Sequence, residues 1–94
     1  MKKIFTYEFE EARHNTLSYE LSLKEDERLD ARGEADRVTI CLNRPGMLTL
    51  AKILIKMAEG SYAEGFHVHL RKDFNEDLPD RLTVMLSPDD VPPA

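Results

Sequence analysis

The sequence predicts an α+β domain: a mostly antiparallel five-stranded sheet with one long helix packed on its apolar face, in the order β-β-β-α-β-β. Two patterns carry that expectation. Several short segments alternate apolar and polar side chains with the period of two of a half-buried strand, while residues 46–60 are apolar on all but a narrow stripe, as a core helix is. Size adds a bound, because 94 residues provide material for a single hydrophobic core. The expected division is one domain over residues 1–87 and a flexible acidic, proline-rich tail over 88–94.

Residues 3–10 place Phe5, Tyr7 and Phe9 on one side and Thr6, Glu8 and Glu10 on the other. Residues 17–24 repeat the pattern with Leu17, Tyr19, Leu21 and Leu23. The turn-like Arg13-His14-Asn15 between them predicts an antiparallel hairpin. From Lys24 to Arg37 the chain carries acids at Glu25, Asp26, Glu27, Asp30, Glu34 and Asp36 with little to bury, which reads as a solvated connection. Val38, Ile40 and Leu42 then alternate as a third strand.

The helix has readable ends. Asn43 suits an N-cap, Pro45 suits the first turn, where its missing N–H is no loss, and Gly60 suits a left-handed stop. On a helical wheel Thr49, Lys52, Lys56 and Glu59 fill an arc of roughly 80°, and apolar side chains cover about 220°. One sheet covers only part of so wide an arc, so a flank needs a second contact: the N-terminal hairpin, the 61–65 loop or another subunit. Beyond Gly65, Phe66, Val68 and Leu70 point inward and His67, His69 and Arg71 outward. A fifth strand follows over residues 81–86. Met47, Met57 and Met85 read as core filling.

The charge balance, 13 basic against 18 acidic residues for a net charge of −5, disfavours nucleic acid and anionic membrane and favours a basic protein partner. A single cysteine, Cys41, excludes an intramolecular disulfide and fits a reducing compartment. The N-terminus has no signal-peptide apolar run. No uncharged stretch approaches the about 20 residues of a membrane span, so the expected location is cytoplasmic.

Little in the chain specifies a reaction. His67 and His69, two apart on a strand, are weak candidate zinc ligands with Cys41 as a third, and the bland alternative is a pair of exposed strand histidines. Cys41 beside an imidazole could form a nucleophile and base, but a lone strand cysteine is more often a packing residue. The carboxylate pairs Glu76-Asp77 and Asp89-Asp90 lie in loops or the tail, and the glycines form no phosphate-binding loop. Glu20 and Arg71 are expected to face each other on the sheet's polar side, which also carries Ser22, Thr39 and Thr83.

The run Gly46-Met47-Leu48-Thr49-Leu50-Ala51-Lys52-Ile53-Leu54-Ile55-Lys56-Met57-Ala58, followed by His67-Val68-His69-Leu70, resembles immunity protein family thirty-two of bacteria over roughly residues 38–86. The resemblance implies a cytoplasmic, non-catalytic protein with no cofactor, which binds and neutralises a bacterial polymorphic toxin, often a basic nuclease domain, through an acidic and polar surface. His67 and His69 carry over by position, and with Arg71 and Glu20 they are the expected partner contacts. The competing readings are a homodimeric interaction or regulatory module joined through the helix flank, and a His/Cys metal-binding protein.

Overall fold

In the computed structural model, which describes residues 1–11 and 16–87, the stretch read as a charged connection becomes a strand. Strand β1 (Leu29–Glu34) pairs antiparallel with β2 (Arg37–Leu42) across the turn Ala35-Asp36, matching Leu29 to Leu42, Ala31 to Ile40 and Gly33 to Val38. The apolar parity of β1 is carried by one leucine and two small residues, opposite Asp30, Arg32 and Glu34. Leu29 is fully buried and anchors the strand.

Helix α1 (Arg44–Glu59) follows, then β3 (His67–Arg71), a short 3₁₀ turn (Lys72–Phe74) and β4 (Asp80–Met85). Strands β3 and β4 pair antiparallel with each other only. The class is α+β, but the five-stranded sheet of order β-β-β-α-β-β is not found: among the described residues there are four strands in two separate two-stranded sheets. Residues 3–10 and 17–24 alternate as strands do yet enter no ladder, and their proposed turn at 13–15 lies outside the described residues, as do residues 88–94. Their apolar side chains find other partners. Tyr7 stacks on Phe9 at 5.7 Å between ring centroids, Leu17 and Tyr19 pack against the core, and Tyr19 meets Phe74 edge-on at 5.9 Å.

The core consists of Leu29, Ile53, Met57, Leu70 and Phe74, with Leu42, Leu50, Val68, Leu82 and Val84 packed around it. Of the methionines expected inside, Met57 is buried, whereas Met47 and Met85 are exposed. The helix also sits differently from the expected way. Its buried line is Gly46, Thr49, Ile53 and Met57, so Thr49 of the polar stripe is inside. Lys52 lies over the Tyr7 ring at 5.5 Å, and the Lys56 ammonium donates to the Ser18 carbonyl at 2.6 Å. The stripe thus faces Tyr7 and Ser18, and the opposite apolar side, with Met47, Leu48 and Leu54, is left exposed.

Asn43 does cap the helix. Its side-chain oxygen accepts from the Gly46 N–H at 2.9 Å and the Arg28 N–H at 2.8 Å, and its amide donates to the Asp26 carbonyl at 2.7 Å. Gly46 lets the helix start against residue 28, since a Cβ there would overlap the Arg28 carbonyl oxygen. Gly60 is not a left-handed stop: its backbone is extended, with φ −81° and ψ 170°. Glycine is needed there for space, because a Cβ would fall 2.6 Å from the Tyr62 ring.

Two carboxylates join the parts. Asp73 accepts from the Leu29 N–H at 3.0 Å, which ties the start of β1 to the 3₁₀ turn. Burial works to raise its carboxyl, and the Leu29 N–H together with the Lys72 and Arg28 charges outweighs burial, so its pKa is held below the ordinary value. Glu27, 2% exposed, accepts from the Ser22 N–H at 2.6 Å. Burial again opposes ionisation, and hydrogen bonds from Ser22 and from the backbone of Glu27 itself prevail to lower the pKa.

Gly46→Ala is expected to destabilise the chain by about 1–3 kcal/mol through overlap at Arg28, more than the about 1 kcal/mol gained in helix propensity, as read by urea unfolding. Both depressed carboxyls contribute stability that is present above their unfolded values near 4 and is lost as pH falls through the lower folded values. Unfolding free energy is therefore expected to drop on acidification below about pH 4, and Asp73→Asn should make that drop shallower in denaturant titrations run across pH.

Candidate functional site

The candidate site is the outward face of the β3–β4 hairpin. The register sets His67 opposite Met85 and His69 opposite Thr83 on one side, with Val68 opposite Val84 and Leu70 opposite Leu82 on the other. Because Leu70 is buried and Val68 half-buried, parity leaves both imidazoles exposed. Their rings stand edge to face, with centroids 5.0 Å apart.

His67 Nδ1 lies 3.1 Å from the Gly65 carbonyl, which can only accept, so Nδ1 is the donor in this contact. His69 Nδ1 shares a hydrogen bond with the Thr83 hydroxyl at 3.1 Å. A register shift between Leu70 and Arg71 breaks the ladder and places Arg71 opposite Asp80, where the two form an ion pair at 3.4 Å. The same guanidinium donates to the carbonyls of Glu76 at 2.9 Å and Leu78 at 3.2 Å. Arg71 therefore clamps the loop that returns to β4.

The expected pairing of Glu20 with Arg71 does not form. Glu20 lies outside any strand and lines a different cleft, with Tyr7, Phe9 and Lys56. Ser22 likewise belongs to no sheet, and Thr39 and Cys41 belong to the other one, so the single polar sheet face is divided. Cys41, on β2 opposite Asp30, has the Arg32 guanidinium 4.0 Å from its sulfur and does not join the histidines. Among the described residues no group of three or more His, Cys, Asp or Glu is placed to hold a metal ion.

Next to the histidines, Tyr19 packs with His69, Arg71, Phe74 and Glu76 around a small cleft. Burial and the Glu76 charge raise the Tyr19 pKa, and Arg71 partly offsets them. A cleft of about 960 Å³ continues past Phe74, with Glu25, Asp73, Glu76 and Asp77 on its walls and Arg28 as the basic residue among them. Sequence reasoning missed this grouping and the role of Asp80. The acids were visible as loop carboxylates, but nothing in their spacing signalled that residues 25 and 73–77 converge.

Among the described residues no helix is long and apolar enough to cross a membrane. The family model described as Immunity protein 32 matches residues 37–92. No curated protein matches the chain, and no solved structure does.

Arg71→Lys keeps the charge but loses the fork that reaches two carbonyls and Asp80. Amide exchange at residues 75–78 is expected to accelerate by about tenfold in that variant while α1 keeps its protection, as measured by hydrogen–deuterium exchange.

Proposed function

The chain belongs to the Immunity protein 32 family, and on that premise we propose that it is a cytoplasmic, non-catalytic inhibitor that binds and neutralises a bacterial polymorphic toxin. The family match over residues 37–92 is the observation that carries this reading. The proposed target is a basic toxin domain of the nuclease type. A protein of net charge −5 can cover a cationic substrate surface and exclude nucleic acid without performing chemistry.

The proposed contact is centred on His67, His69 and Arg71. Support comes from their exposure on one side of a hairpin whose other side is anchored in the core, a rigid base for a partner to press on. Glu76, which shares a cleft with His69 and Arg71, and Glu25 and Asp77 of the cleft that also includes Glu76, supply the negative charge that steers a basic partner. Glu20 faces another cleft and is left outside the contact. His67 and His69 act here as polar anchors, an assignment that needs no metal.

Capture of a tagged full-length chain from its native cells is expected to retrieve a cationic toxin domain. Against that domain, combined His67→Ala and His69→Ala should raise Kd about tenfold or more with helical content unchanged, as measured by titration calorimetry. An unchanged Kd removes the histidines from the contact. Retrieval of no toxin from cells that express one overturns the reading.

A further inference from the structure

Strand β2 has an open edge. The two-residue turn makes Glu34 and Arg37 a hydrogen-bonded pair, and bonded pairs recur at Arg32–Thr39 and Asp30–Cys41. The backbone groups of Val38, Ile40 and Leu42 therefore point away from β1. Among the described residues no backbone hydrogen bond reaches them. The far edge of β1 is differently placed: the Leu29 N–H is bonded to Asp73, and Asp30 pairs with Arg81 at 3.4 Å.

Edge strands are usually blunted by charge, proline or a bulge. Residues 38–42, Val-Thr-Ile-Cys-Leu, carry none of these, and all but the half-buried Leu42 stand in water: Val38 is 69% exposed and Ile40 42%. A lone two-stranded ribbon is marginal in water, and a third strand is what normally stabilises one.

We propose that β2 pairs antiparallel with β2 of a second copy, joining two ribbons into one four-stranded sheet about a two-fold axis at Ile40. The edge is complementary to itself. With Ile40 opposite its own mate, Val38 meets Leu42, Thr39 meets Cys41 and Arg37 meets Asn43, so no like charges stand opposite and all apolar side chains share a face. The acids of the hairpin, Asp30, Glu34 and Asp36, lie on β1 or in the turn, away from this seam. The inference is independent of toxin neutralisation, since it requires no other protein and a monomer would leave that reading untouched.

Sedimentation equilibrium of the full chain at about 100 µM, well above the ~1 µM Kd of a modest interface, is expected to give a dimer. Ile40→Lys, which sets two ammonium groups face to face on the axis, should return it to monomer with its helical circular dichroism intact. A nitroxide on Cys41, the sole cysteine, gives a second measurement that needs no substitution. The register sets the two labelled backbone positions about 8 Å apart, so strong dipolar broadening is expected. This measurement decides the matter if Ile40→Lys does not fold. A monomer at that concentration, a dimer without broadening, or a dimer dispersed by Leu54→Lys but not by Ile40→Lys overturns the proposal.

Discussion

The carboxamide of Asn43 is the constraint on which the architecture depends. One oxygen receives the N–H groups of Arg28 and Gly46, and the nitrogen reaches the Asp26 carbonyl. The helix start and the entry to β1 are thereby fixed to each other, 15 residues apart in sequence. That junction admits no Cβ at Gly46, which is how the backbone of residue 28 comes so close. Once it is made, Leu29 lies in the core with Ile53 and Leu70, and its own N–H meets Asp73. A neutral amide, offering donor and acceptor together, suits this place; a carboxylate would lack the donor for Asp26.

The parts of the fold legible in the sequence were those whose periodicity was written in large side chains. Helix α1 and the strands β3 and β4 were readable because leucine, isoleucine, valine and phenylalanine recur at the right spacing, with Asn43 and Pro45 marking the helix start. Strand β1 was not, because the two other residues on the Leu29 side of the strand are Ala31 and Gly33, which a count of bulky groups passes over. Its turn offered no signal either. Ala35 takes a positive φ of 30° without the glycine or asparagine that such a conformation usually recruits. Residues 3–10 and 17–24 erred in the other direction: their alternation is real, but it serves ring stacking and contact with α1 in place of a ladder.

At the candidate site the outward parity of His67 and His69 followed from the strand period alone. The Arg71 clamp did not, because it depends on a register shift and on the path of residues 75–80, neither of which leaves a mark on side-chain spacing. The helix's orientation was unreadable for a related reason. A wheel ranks faces by polarity, yet Lys52 and Lys56 can lay their hydrocarbon stems along an aromatic-rich segment and still satisfy the ammonium groups, so a charged stripe can be an inside surface.

Gly60 couples parts of the chain that share no secondary structure. The room it leaves is occupied by the ring of Tyr62, which stacks on Phe66 at 4.3 Å and extends its hydroxyl to the Thr16 carbonyl at 2.9 Å. One missing methyl group thus seats a latch between the helix exit, the start of the last hairpin and the segment leading to Tyr19. A side chain at position 60 would displace that ring, and the effect would be felt more than forty residues upstream, at the Thr16 carbonyl beside Leu17.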